Sequence, residues 1–333
     1  MPKKEERNNM TQNLVITSSP HIRAKDTTRS IMLDVLIALC PALIASVIWF
    51  GPRALLVSAV CVGASVLFEY LYRKLMHLDM TIGDLSAAVT GLLLAFNLPS
   101  SIPLWMAVIG CFVSIVIVKQ LFGGLGKNFA NPAIVGRIVL LVSFATPMTN
   151  WPVPLSADAV TGPTPLGVVG AMAAGVDASS SATAEVIALP SYLDMFLGKI
   201  GGSLGETCTL ALLIGFVYLV ARKVITVTEP LAFIGTVFVL SWLLGADPVF
   251  HILAGGVMLG AIFMGTDYVT TPTTELGRLI FGIGAGVLTV IIRLYGSYPE
   301  GVSFAILIMN IVTPHIDNLT RIKALGAEGG KKA

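Results

Sequence analysis

Apolar windows recur along the whole chain, near residues 31–50, 54–72, 84–98, 104–121 and 133–147, then near 208–225, 229–245, 250–266, 277–294 and 301–316. A hydrocarbon core needs roughly 20 residues of helix, with about 17–25 the usual range. The windows therefore predict an all-α polytopic membrane protein of about ten transmembrane helices, several of them short. The third window of each set ends in a breaker, "AFNLPSSIP" in one and "FMGTDYVTTPTT" in the other. An odd number of spans per half inverts the second half, so the expected architecture is two inverted five-helix repeats with short broken helices. The breakers have two readings: the Pro and Gly common at membrane helix ends, or interrupted segments framing a site between the repeats.

The same pattern sets the expected organisation: an arm over 1–29, a first repeat over 30–147, a polar connection over 148–207, a second repeat over 208–317 and a tail over 318–333. Composition agrees with burial in lipid. Of 333 residues, 55% are hydrophobic and 12% charged, where soluble domains carry about 25% charged residues. Mean hydropathy is +0.85. A net charge of +2 without a basic stripe argues against nucleic acid.

Charge also orients the chain. Lys3, Lys4, Arg7, Arg23, Lys25 and Arg29 in the arm, then Arg73 and Lys74, Lys119 and Lys127, Arg222 and Lys223, and Arg321, Lys323, Lys331 and Lys332 all fall on one side. The opposite side holds little beyond Arg53, Lys199 and Arg293. The positive-inside rule places both termini in the cytoplasm and the 148–207 connection outside. The arm has no apolar h-region before residue 30, so the run from Ile31 is expected to be a permanent span rather than a cleaved signal.

Little in the chain suggests metal or nucleotide chemistry. Cys40, Cys61, Cys111 and Cys208 stand singly, the four histidines are scattered, and no metal site is expected. "GGLGKN" over 123–128 fails the P-loop pattern and has two readings, a tight interfacial turn or backbone amides facing a bound cofactor. Ser203 and Glu206 have the spacing of a capping box opening the sixth span. Gly256/Gly260 and Gly282/Gly286 are small-xxx-small pairs suited to close helix packing. Ionisable groups in or near spans are functional candidates: Asp34, Glu69, Arg137, Asp267 and Arg293.

The most informative stretch is "DAVTGPTPLGVVG", residues 158–170. Thr164 followed by Pro165 fits an N-cap and first-turn pair, with "LGVVGAMAAG" as the helix that follows. Helix N-terminal amides and the macrodipole also favour an anion. A phosphate esterified to the Thr164 hydroxyl would sit where the backbone stabilises it, and Gly162 leaves room beside it.

"DAVTGPTPL" resembles the flavin-attachment motif Asp-x-x-(Ser/Thr)-Gly-Ala-Thr of the Rnf and sodium-pumping NADH:quinone oxidoreductase complexes. Asp158, Thr161 and Gly162 match, Pro163 replaces the usual alanine, and the attached threonine falls on Thr164. "GKNFANPAIVGR" (126–137), "FLGKIGGSLGET" (196–207), "TDYVTTP" (266–272) and "YPEGVSFAILIMNIVTPHID" (298–317) extend the likeness from about residue 30 to 317. The short arm favours the D subunit of the Rnf electron transport complex over the longer B subunit of the quinone reductase.

The resemblance implies a membrane flavoprotein subunit of a ferredoxin:NAD+ oxidoreductase, relaying electrons and coupled to Na+ or H+ movement. It implies covalent FMN on Thr164, set among Asp158, Thr161, Gly162 and Pro165, through a phosphothreonine-type ester made by a flavinyltransferase. A second, non-covalent flavin such as riboflavin, or an ion path, is implied near Asn131, Arg137, Thr266 and Asp267. Arg137 could pair with a carboxylate or face a flavin. Implied partners are the other Rnf subunits, including a second FMN-bearing subunit and iron–sulfur subunits, in a bacterial inner membrane. No Gly-rich dinucleotide fingerprint appears, so no activity towards NAD+ is expected of the chain alone, and no catalytic residue is assigned. The rival reading is a secondary transporter or solute channel with inverted repeats and no flavin.

Overall fold

Thr27 starts the first helix: its hydroxyl accepts from the Ser30 amide, and the Ser30 side chain accepts from the Thr27 amide. In the computed structural model, which describes residues 26–155, 161–173, 189–296 and 300–321, this helix, α1, runs Thr28–Phe50. Gly51, at φ 74°, turns the chain into α2 (Pro52–Leu75), with Pro52 at the first helical position. The first half continues with α3 (Ser86–Phe96), α4 (Leu104–Phe112, extended as a π-helix over Val113–Gln120) and α5 (Pro132–Ser143). A single turn, α6 (Ala145–Met148), leads to the connection.

The second half holds α9 (Thr209–Ala221), α10 (Thr228–Leu243), α11 (Pro248–Leu253), α12 (Val257–Leu259, extended as a π-helix over Gly260–Met264), α13 (Glu275–Tyr295) and α14 (Val302–Thr320). Among the described residues, α1, α2, α13 and α14 are the 4 helices long and apolar enough to cross a membrane alone. The rest of the apolar helices are shorter. The protein is thus a helical polytopic membrane protein, with its broad apolar faces turned outwards at residues such as Ile44, Ile48, Val217 and Leu243.

The ends of the short helices meet inside the bundle. Asn97, just past α3, donates to Leu93 O at 2.7 Å and to Met264 Sδ, at the end of α12, at 3.6 Å. Backbone freed by such breaks must find partners within the protein, because lipid offers none. The segment 203–206 supplies them: Gly205 N–H donates to Phe96 O and Leu204 N–H to Leu98 O, each at 3.0 Å. Asn131 serves the other break, donating from Nδ2 to Met264 O at 3.2 Å.

Two expectations change here. The capping box at Ser203 is only half made: Glu206 Oε1 accepts from Ser203 N–H at 3.1 Å, but the Ser203 hydroxyl caps nothing, and α9 starts later with Cys208 as its N-cap. Residues 203–206 are committed to the α3 break and cannot also open a helix. The apolar window 250–266 is likewise two helices, because Ala254 is extended and Gly255 takes φ 65° between them.

The glycine pairs mostly do what their spacing predicts. A Cβ on Gly282 would lie 2.7 Å from Glu229 O, and one on Gly286 2.6 Å from Thr236 Cβ, so α13 lies directly on α10. Gly260 presses on Val302 of α14 at 2.6 Å. Gly256 differs: its neighbours are the Glu206 carboxylate and the Arg137 guanidinium.

Candidate functional site

The polar connection folds back onto the end of the bundle. Trp151 and Pro152 (β1) pair antiparallel with Thr161 and Gly162 (β2), Trp151 opposite Gly162 and Pro152 opposite Thr161. Leu155 N–H donates to Trp49 O at 3.1 Å, tying the connection to the end of α1. The helix expected after Thr164 is present as α7 (Pro165–Ala173), and a short helix, α8 (Tyr192–Leu197), follows. Leu166 of α7 joins Met195, Ile200, Phe250 and Ala254 in an apolar cluster that seats α7 on α8 and α11.

Thr164 is the N-cap of α7. Its Oγ1 accepts from Gly167 N–H at 3.1 Å, its carbonyl accepts from Val168 N–H at 2.9 Å, and the residue is 6% exposed. A cavity of about 180 Å3 opens beside it, lined by Pro163, Thr164, Gly167, Trp151, Thr149, Leu141, Arg137, Glu300, Ser303 and Phe304. One wall is apolar and aromatic, another carries charge. A Cβ on Gly167 would stand 3.4 Å from Thr164 Oγ1, in ordinary contact with the hydroxyl. Asp158 lies outside the described residues.

Arg137 resolves to a carboxylate partner. It reaches from α5 to the Glu300 carboxylate, in the turn before α14, and donates to Ser303 Oγ at 2.6 Å. Burial, then the nearby Glu206 carboxylate, push the Glu300 carboxyl up to about 7 against the opposing pull of Arg137 and Arg293. Arg293 is committed to the backbone, donating to His251 O at 2.5 Å and to Ala254 O at 2.9 Å, and so caps the last turn of α11.

The residues implied for a second flavin or ion path divide between two places. Arg137 belongs to the Thr164 cavity. Asn131, Thr266 and Asp267 line a separate cavity of about 80 Å3 with Ile31, Ser86 and Lys119. Asn131 is also the N-cap of α5, accepting from Ala133 N–H at 3.0 Å. Thr266 donates to Ile262 O at 2.6 Å, and Asp267 accepts from the Thr270 hydroxyl at 3.3 Å. Asp34 pairs with Arg222 at 3.2 Å, and Glu69 with Lys119 at 3.0 Å. No group of three or more metal-ligating side chains occurs among the described residues.

Sequence reasoning missed Glu300, Ser303 and Trp151, and gave Glu206 only a capping role. Glu300 stands two residues ahead of the last span, where the rule that singled out Arg137 could also have found it.

Fold and site define a class first: a polytopic membrane protein whose one long connection holds a buried, helix-capping threonine over a partly charged cavity. The chain matches the NQR2, RnfD, RnfE family over residues 15–326 and belongs to it. It is 46% identical to the D subunit of the Na(+)-translocating ferredoxin:NAD(+) oxidoreductase complex of Acetobacterium woodii, over 96% of this chain and 98% of that protein. It is also 46% identical to the D subunit of the proton-translocating ferredoxin:NAD(+) oxidoreductase complex of Clostridium ljungdahlii, over 92% and 94%. The D subunit of the ion-translocating oxidoreductase complex of Ectopseudomonas mendocina is 38% identical over 93% and 95%.

Proposed function

We propose that this chain is the membrane flavoprotein subunit of an Rnf-type ferredoxin:NAD+ oxidoreductase, carrying FMN esterified through its phosphate to Thr164 Oγ1. The observation that carries this reading is the Thr164 hydroxyl at the N-terminus of the 9-residue helix α7, opening on a cavity that also holds Arg137. The residues fit the group. The N-terminal amides of α7 suit phosphate oxygens, Leu141 and Trp151 suit a flat apolar ring, and the Arg137 guanidinium suits a ring that gains negative charge. When bound, the flavin supplies the electron-transfer chemistry. Thr164 tethers, Trp151 and Leu141 exclude water, and Arg137 sets the local charge.

In this reading the two apolar halves are inverted five-helix repeats whose broken helices, α3 and α11–α12, face each other. Both termini lie in the cytoplasm and Thr164 outside the inner membrane, as the Lys and Arg distribution favours. Partners are the other Rnf subunits, among them iron–sulfur proteins and a second FMN-bearing subunit, with a flavinyltransferase for maturation. Electron flow is coupled to Na+ or H+ translocation. In the same reading, the cavity bearing Asn131, Thr266 and Asp267 would serve either a second, non-covalent flavin such as riboflavin or an ion path.

The meeting of two broken helices favours a second reading, a secondary transporter without flavin. One experiment separates them. The full chain is co-expressed with a flavinyltransferase and its band on a denaturing gel is inspected for flavin fluorescence. Fluorescence that disappears in Thr164→Ala, with the Thr164 peptide heavier by FMN less one water, supports the flavoprotein. A dark wild-type band, or fluorescence surviving in Thr164→Ala, defeats it.

A further inference from the structure

Two charged side chains, Arg137 and Glu300, line the Thr164 cavity, and Glu206 and Arg293 stand behind them. Arg137 divides its guanidinium between the Glu300 carboxylate and Ser303 Oγ. Behind it Glu206, 3% exposed, has Oε1 on Ser203 N–H and Oε2 without a hydrogen-bond partner. Gly256 keeps that bare oxygen near the arginine: a Cβ there would be 3.0 Å from Glu206 Oε2 and 3.9 Å from Arg137 Nη1. Arg293 completes the set, but both its Nη atoms are committed to main-chain carbonyls. Of the two guanidinia, only Arg137 borders the cavity.

That arrangement reacts to charge in one direction. Negative charge entering the cavity draws on Arg137, the guanidinium that neutralises Glu300. Glu300 and Glu206 are then neighbouring carboxylates sharing too little counter-charge, and such a pair holds a proton rather than two negative charges. We propose that Glu300 is the proton-accepting partner of the redox group at Thr164, binding one proton for an electron that enters the cavity. The inference rests on the covalent-flavin reading above. The balance is one electron in, from an iron–sulfur or flavin donor of the assembly, and one proton in from water at the cavity mouth. The O–H bond on Glu300 is the bond formed, and both charges leave on re-oxidation.

The Glu300 side chain is 15% exposed, which gives the proton a route. The charged groups acting on it are Arg137 from α5, Glu206 from the segment before α9 and Arg293 from α13. The remaining walls contribute the uncharged Thr164, Gly167 and Trp151. Because its carboxyl is already raised to about 7, a modest further rise places Glu300 in the protonated form at neutral pH.

The test is a redox titration of the flavinylated full chain between about pH 5 and 9, wild type against Glu300→Gln. Gln is neutral, as protonated Glu is. The two midpoint potentials are therefore expected to coincide below the Glu300 range of about 7 and to separate above it, wild type lower. The gap should widen by up to about 59 mV per pH unit, which is a tenfold change in proton activity read by a one-electron couple. Glu206→Gln removes the like charge that raises Glu300, so the bend in its potential-against-pH line is expected at lower pH. That second variant carries the test if Glu300→Gln does not accumulate. A gap that is zero or constant with pH, or a bend unmoved in Glu206→Gln, overturns this inference alone. Absence of flavin on Thr164 overturns it together with the flavoprotein reading.

Discussion

Lys119 Nζ donates to Glu69 Oε2 across 3.0 Å, and each side chain is 1% exposed. The lysine stands on the π-helical end of α4 and the glutamate on α2, so the pair locks two helices of the first half together. Ser86 Oγ, at 2.6 Å, takes a second proton of the ammonium. Removing one partner of a buried pair typically costs about 3–5 kcal/mol. Glu69 keeps the Thr81 hydroxyl at 2.9 Å and Arg73 at 3.7 Å, so Lys119→Met is expected at the lower end, about 3 kcal/mol. Thermal unfolding in detergent should fall by several degrees, and Glu69→Leu added to Lys119→Met should restore most of the loss. A single variant melting with wild type would mean that the pair contributes no net stability.

Thr164 caps α7, and in the flavoprotein reading proposed above it is also the point of attachment, two roles that can be separated. Thr164→Asp keeps an oxygen able to accept from Gly167 N–H but offers no hydroxyl to esterify. The expected outcome is an intact α7 with no in-gel flavin fluorescence. Thr164→Val removes both, costing about 1 kcal/mol of local stability and making the connection easier to cleave in limited proteolysis. Equal cleavage of the Asp and Val variants would show that the cap contributes nothing.

The α10–α13 contact depends on glycine. In Gly286→Val the new Cβ meets Thr236 Cβ at 2.6 Å and Phe233 O at 3.0 Å. Overpacking of this kind costs about 1–3 kcal/mol. Gly235, on the same α10, has nothing within 4 Å of a Cβ. Gly235→Ala is therefore expected to be neutral or to stabilise by up to about 1 kcal/mol. Melting temperatures of the pair check both, and similar losses in the two would argue against the contact.

Arg293→Met strips the donor from His251 O and Ala254 O while filling much of the same space. Each buried acceptor left without a partner costs about 1–3 kcal/mol, and the loss should be local. Amide hydrogen exchange is expected to rise over 248–256 and in the helix that α11 supports, α7, while α1 and α2 stay protected. Uniform deprotection across the chain would instead point to global unfolding.

Particular residues show how much was legible beforehand. The windows 31–50 and 277–294 became Thr28–Phe50 and Glu275–Tyr295, since Thr27 and Thr274 cap them locally. Thr164 and Pro165 became cap and first turn, because that signal depends only on adjacent residues. The window 250–266 misled, because apolar content is blind to backbone: Ala254–Gly256 interrupts it without adding a polar residue. Ser203–Glu206 misled for the opposite reason. Its spacing suited a cap, but carbonyls at and just past the end of α3, over a hundred residues away, claimed its amides.

The sequence by itself determined what short-range chemistry and solvent can select: a helical chain for lipid, where its locally capped helices begin, and which threonine offers a hydroxyl at a helix start. Only the tertiary structure decided that Arg137 answers Glu300 rather than the residues beside it in sequence, 163 positions apart. It also decided that both border Thr164, while Asn131 and Asp267 line another cavity. The physical reason is that apolar periodicity places a side chain on a helix but carries no register between helices. That register is set by close packing at glycines and by buried charges that must find partners inside the bundle.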